Sequence, residues 1–255
     1  MTDFEIIRHI DDGANFYIDF FANAEHMERA DTGYYCYTRP LPGEEGITFA
    51  YSLRLEELSE SGRLEKLSEI RNLGMPVWWG LCMSDALYAL VHKEPRERLR
   101  SPSGGDELYM AIEPPERFPQ TPLPAGVTVK RVTSPEMFAG WANFVNDSMF
   151  GGYRDIHPVY HYPACKTGKI NCYICCKDGL PVAHCSIMDN DGICSLEFVA
   201  THPEHRRRGY AKAVCAFAME AAFDQGAELI TLRAINPGTK ELFTALGYKI
   251  FNRAL

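Results

Sequence analysis

The sequence has no apolar run long enough to span a bilayer. Its N-terminal stretch is charged and broken by Asp11, Asp12 and Gly13, so neither a membrane span nor a secretion signal is expected. Basic charge is not in excess either: 26 Lys and Arg stand against 34 Asp and Glu, a formal net charge of −8. That argues against a general nucleic-acid binder and favours cationic partners such as amines. Cysteine, by contrast, is plentiful. Nine cysteines without a secretion signal read as reduced thiols, and a cytoplasmic location is the expectation. The rest of the composition is ordinary: 46% hydrophobic over 255 residues, enough for one large domain or two small ones.

Residues 113–126 hold Pro114, Pro115, Pro119, Pro122 and Pro124 among polar neighbours. Such a run builds neither helix nor sheet interior and reads as a linker. It divides the chain into an α+β part at 1–112 and a second part at 127–255, each of domain size. In the second part the spacing predicts a strand at 127–132, a helix over 137–149 behind the N-cap Ser134, and an irregular stretch over 151–164. Strands at 170–177 and 181–188 meet at Asp178-Gly179, a hairpin signal. A strand ends at Thr201, a helix runs from about Arg207 to Asp224, a strand covers 227–234, and a helix opens at Asn236-Pro237. A short strand at 248–251 ends the chain. The first part reads as helix (5–29), strands (34–38, 47–55), helix (63–72), an aromatic strand (76–82), helix (84–92) and strand (108–112).

One stretch carries chemistry: Arg206-Arg207-Arg208-Gly209-Tyr210-Ala211 joins an apolar strand to an alanine-rich helix. A helix opening at a strand end presents free N–H groups and positive dipole, a site for pyrophosphate. Gly209 lets a phosphate approach the backbone, and Ala211 keeps the next turn small. The bland alternative is a solvated charge run.

The pattern Arg-x-x-Gly-x-Ala resembles the acetyl-CoA loop of the GNAT N-acetyltransferase superfamily. Its flanks agree: Leu196-Glu197-Phe198-Val199-Ala200-Thr201-His202-Pro203 before it, and Asn236, Leu242, Phe243, Leu246, Gly247 and Tyr248 after it. The resemblance implies an α/β (α+β) fold with a GNAT-like mixed central sheet flanked by helices at 127–255. The smaller α+β part before it loosely resembles a degenerate copy, without the loop; an unrelated α+β domain is the competing reading. The family's usual last strand is missing or very short here.

The resemblance also implies an activity: transfer of acetyl from acetyl-CoA to a primary amine of a small molecule, peptide or protein, directly within a ternary complex. The alternative is a non-catalytic acyl-CoA-binding sensor. Val199, Thr201 and Arg206, Arg207, Arg208, Gly209, Tyr210 and Ala211 would hold the cosubstrate, with the Val199 N–H polarising the thioester carbonyl. Asn236 matches the asparagine that bonds the pantetheine arm; its other role is to cap the helix at Pro237. Phe243 stands where the family often has a tyrosine that protonates the thiolate, so another group or water would serve as the acid, or none is needed. Glu197 is the candidate general base, against a plain strand glutamate. Tyr153, Asp155, His157, Tyr160 and His161 fall in the acceptor-binding region, with Tyr153, His157 and Tyr160 the candidate acceptor contacts. His157, His161 and Cys165 have metal-like spacing, but Pro158 and Pro163 argue against a helix that would align them. Cys172 and Cys175 on one strand point to opposite faces, so no metal is expected. A homodimer stays open.

Overall fold

A computed structural model describes residues 1–22, 24–92, 107–116, 118, 123, 125–149, 156–234 and 236–251. The chain opens with α1 (Asp3–Ala22), then β1 (Met27–Asp31), β2 (Cys36–Pro40), β3 (Phe49–Tyr51), α2 (Glu60–Asn72), α3 (Asp85–Val91) and β4 (Leu108–Ile112). It continues through β5 (Val127–Arg131), α4 (Pro135–Met149), α5 (Pro158–Lys166), β6 (Ile170–Lys177), β7 (Leu180–Asn190) and β8 (Ile193–Thr201). It closes with α6 (Tyr210–Asp224), β9 (Leu229–Ala234), α7 (Lys240–Thr244) and β10 (Lys249–Ile250). The result is the expected mixed α/β architecture, a large sheet flanked by helices.

β1, β2 and β3 form a small antiparallel sheet. The seven other strands form one sheet in the order β10-β4-β9-β8-β7-β6-β5. Every neighbouring pair is antiparallel except β8 and β9. β4 pairs with β9 over Leu108↔Ala234 to Ile112↔Ile230 and takes β10 on its other edge. The sheet beyond β9 is therefore completed from upstream of the proline-rich segment, and β10 is only the two-residue strand Lys249–Ile250.

Both faces are covered, so alternate residues of one strand enter different cores. On one side α6 packs Val214, Cys215, Ala218 and Met219 on β6, β7 and β8. On the other, α1 lies over β4, β8 and β9, while α4 and α5 lie toward β6 and β8. Cys172 joins the α4 side and Cys175 the α6 side, the opposite facing that their spacing requires. α1 buries Ile6, Ile7, Ile10, Ala14 and Ile18 along a helical stripe. Gly13 faces the sheet, where an added Cβ would stand 3.3 Å from Thr231 Oγ1. α2 and α3 shelter a separate cluster with Tyr35, Leu55 and Leu67.

Three expectations are corrected. The opening helix ends at Ala22, and β1 takes Met27 onward. The aromatic stretch 76–82 is no strand: it makes a one-residue bridge, Ala50↔Val77, before Gly80 turns with φ +83°. The stretch expected to be irregular holds α5. Pro158 sits in its first turn, where a missing N–H costs nothing. Pro163 lies inside the helix, and the bond it forgoes would have reached the carbonyl of Val159, a 71% exposed residue. The helix thus tolerates both prolines, and no group of three metal-ligating side chains occurs among the described residues. No described helix is long and apolar enough to cross a membrane.

Two histidines are buried neutral. His184 is packed against Trp141 and Phe144, with Nε2 2.8 Å from Ser148 Oγ, and burial lowers it from 6.5 to about 4. The unfolded chain therefore takes up its proton first as pH falls, so this contribution is complete above 6.5 and is lost on the way down to 4. In urea unfolding at pH 7 and pH 4.5, His184→Gln is expected to lose less stability between the two than wild type, by roughly 1–3 kcal/mol. Equal losses would show that His184 does not titrate this way.

Candidate active site

The site begins where two strands part. β8 and β9 run parallel and pair only over Ile193↔Leu229, Cys194↔Ile230 and Ser195↔Thr231. Past Ser195, β8 continues to Thr201 with β7 on one side and no paired strand on the other among the described residues. His202 N donates to Val182 O, and His184 lies opposite Ala200. By the alternation of an antiparallel ladder, Val199 and Thr201 direct their backbone N–H and C=O away from β7, into the gap.

A bulge sorts the side chains around this gap. The register moves between His184↔Ala200 and Ser186↔Glu197, so β8 carries one extra residue there. Phe198 absorbs it with φ +52°, rare for an aromatic residue. Without the bulge, Glu197 and Phe198 would face opposite ways. With it, Phe198 stacks among Tyr17, Phe20, Phe21 and Trp141, on the same face as Glu197. Val199 then packs toward the α6 side.

Glu197 is 9% exposed. Burial raises its carboxyl from 4.5 to about 6, and Arg233 on β9, with Nη2 4.0 Å from Oε1, opposes the rise. A carboxylate that titrates near neutrality beside an open gap can take a proton from an ammonium and pass it on.

At the end of β8 the chain turns through a 3₁₀ segment, Pro203–His205, before α6. Arg206 Nε donates to Thr201 O at 3.2 Å, tying the loop to the strand. Arg207 (φ +62°) and Gly209 (φ +82°) are both left-handed. The amide N–H groups of Arg207 to Lys212 make no hydrogen bond to described residues, and Ala213 N is the first to bond back, to Gly209 O. They stand with the exposed Arg206, Arg207 and Arg208 at a helix N-terminus, where backbone N–H groups and dipole are suited to an anion. A Cβ on Gly209 would meet no atom within 4 Å, so its backbone angle demands glycine while the space above it stays open.

The remaining sequence candidates divide. Tyr210 and Phe243 are buried in the α6 core, at 5% and 4% exposure, so Tyr210 offers the loop only its amide. Phe243 meets the Tyr248 ring edge-on at 5.9 Å. Asn236 is exposed, and its Oδ1 accepts Gly238 N at 2.8 Å, the capping role. Tyr160 is held between His157 (4.5 Å) and His26 (4.8 Å). His161 is buried, its Nδ1 accepting His157 N at 2.9 Å and its ring on Phe20 at 4.7 Å; burial lowers it to about 4. Tyr153 and Asp155 lie outside the described residues. Sequence reasoning missed the contribution of α1 (Tyr17, Phe20, Phe21) together with His26, Trp78 and Arg233. Only Arg233 carried a signal, as a charge ending the apolar run Leu229–Leu232.

A splayed parallel pair leads here into an amide-rich loop at a helix N-terminus. The family model of the acetyltransferase (GNAT) family matches residues 138–248. Over this segment the chain is similar to the GNAT acetyltransferases. Among curated proteins no relative matches. Among solved structures, a GCN5-related N-acetyltransferase from Kribbella flavida is similar with TM-score 0.62 and 21% identity, covering 94% of this chain and 92% of its own. A tandem GNAT protein from the clavulanic acid biosynthesis pathway gives 0.58 and 12% identity, over 95% and 93%. A GCN5-related N-acetyltransferase from Sphaerobacter thermophilus gives 0.56 and 15%, over 86% and 78%. Family and fold together suggest acyl transfer from an acyl-CoA.

Carboxyl ¹³C NMR of glutamate-labelled protein is expected to show one resonance titrating near 6 that vanishes in Glu197→Gln. An ordinary midpoint near 4.5 for Glu197 would remove the basis for its role as a base.

Proposed function

We propose that this protein is an N-acetyltransferase that moves acetyl from acetyl-CoA to a primary amine by direct attack in a ternary complex. The observation that carries the reading is the open edge of β8 beyond Ser195, leading straight into the unbonded amides of 207–212. The loop amides and arginines take the pyrophosphate, and the Val199 and Thr201 backbone lines the arm. Phe243 and Tyr210 contribute buried apolar support beneath it, and the exposed Asn236 stands near the turn it caps.

Glu197 accepts the proton of the incoming ammonium. The freed amine attacks the thioester carbonyl carbon, whose developing oxyanion takes the Val199 N–H. The C–S bond then breaks, the attacking nitrogen gives its second proton to water, and the thiolate leaves, needing no acid because a thiolate is a tolerable leaving group near neutral pH. This matches Phe243, which has no proton to give. The acceptor enters from the face of α1 and α5, where His157 and Tyr160 are the proposed contacts; Tyr153 is proposed on the sequence resemblance alone. Segment 1–112 is a degenerate GNAT-like part in this reading, one that adds β4 to the main sheet and lays α1 across it.

Calorimetry with acetyl-CoA is expected to give micromolar binding to wild type and none to folded Gly209→Glu, whose carboxylate occupies the phosphate position. Normal binding to that variant would sink the loop assignment. Thiol release with a panel of amines is expected to show a rate rising with pH through about 6. In Glu197→Gln turnover falls by roughly 10²–10⁴ and that limb disappears. Binding without turnover by wild type on any amine would favour the sensor alternative.

A further inference from the structure

Arg233 is held by parts of the chain far from it in sequence. Its guanidinium stands 5.4 Å from the Tyr17 ring centroid and 5.0 Å from that of Trp78. Tyr17 belongs to α1, and Trp78 to the segment after α2. Trp78 is itself fixed, with Nε1 donating to Asp11 Oδ1 at 2.6 Å, while Asp11 Oδ2 accepts Leu81 N at 3.0 Å. Asp11 is on α1, so one helix carries both the first ring and the anchor of the second. Planar guanidinium stacks on aromatic faces in a way that an ammonium does not.

The distance to Glu197 matters as much as the clamp. At 4.0 Å the guanidinium is too far to occupy a carboxylate oxygen by hydrogen bonding, yet near enough to favour the ionised form. Several other groups face Glu197 or its surroundings. Glu107 and Tyr109 stand at β4, Ser195 on its own strand, Tyr248 beyond α7, and Tyr17 and Asp11 on α1. Among these described groups Arg233 is the one cation, and Glu107 opposes it.

We propose that Arg233 is a positioning residue for Glu197, and that the N-terminal part of the chain serves the reaction by clamping this guanidinium between Tyr17 and Trp78. The proposal rests on the reading of Glu197 as the base. It gives the part of the chain without a cosubstrate loop a task in catalysis, through two rings and one helix.

The test is the Glu197 carboxyl titration by ¹³C NMR on the full chain without ligand, with circular dichroism to establish folding. Arg233→Gln is expected to raise the midpoint by about one unit or more. Arg233→Lys, whose ammonium stacks poorly, raises it by less. Trp78→Leu raises it in the same direction, whereas Trp78→Phe, which keeps a ring face, stays near wild type. An unchanged midpoint in Arg233→Gln, or in Arg233→Lys if the first variant does not fold, overturns the proposal. A midpoint moved by the Arg233 variants but by neither Trp78→Leu nor Tyr17→Leu overturns the clamp. Failure of the base reading looks different: the titration shifts as described, but amine-dependent thiol release in Glu197→Gln keeps its acidic limb.

Discussion

Two strands that run parallel for three residue pairs and then separate set the terms for everything around them. While β8 and β9 are paired, their backbone polar groups satisfy each other. Once they part, the half-buried edge of β8 at Val199 to Thr201 has no paired strand among the described residues, and Arg206 meets only Thr201 O of that edge. In the proposed reading an extended pantetheine arm takes that edge and its phosphates meet the α6 amides. The left-handed Arg207 and Gly209 turn those amides outward. In the proposed reading the acceptor reaches Glu197 from the α1 side of the same separation.

Around this gap, the bulge at Phe198 performs a second sorting. One additional residue in β8 places an aromatic ring and a carboxylate on the same face, where strict alternation would have separated them. The ring joins Tyr17, Phe20, Phe21 and Trp141 and excludes water from that face. The dry surroundings raise the proton affinity of Glu197. Strain in Phe198, of order 1–3 kcal/mol, is offset by this aromatic packing. Fold stability and base strength at this point are thus two results of the same burial.

The sheet also explains why the two parts of the chain are not independent in space. The edge of β9 is covered by β4, which precedes the proline-rich segment and itself carries β10. α1 lies across β4, β8 and β9 and places Tyr17 beside the site. Neither element has a local sequence signal of its destination. Each is an ordinary amphipathic helix or apolar strand, and its partners in the large sheet lie far along the chain, as Ile112↔Ile230 shows.

Much was legible in sequence because it is local. The Arg206–Ala211 pattern, its flanking strand and helix, the Asp178-Gly179 hairpin and the alternate facing of Cys172 and Cys175 depend on short-range geometry and period. They determined the fold class and the loop. Pro158 and Pro163 misled, because a proline's cost depends on where in the helix it falls and on whether the freed carbonyl meets water. Glu197 was nameable from its distance to Val199, but its burial, its elevated proton affinity and its partner Arg233 were not. Those properties arise from which faces meet when β4 and α1 dock on the sheet. By itself the sequence determined the place and make-up of the strand-to-helix loop, since those are written in consecutive residues. Only the tertiary structure decided the environment of the carboxylate, because desolvation and charge act through space between residues the chain order keeps apart.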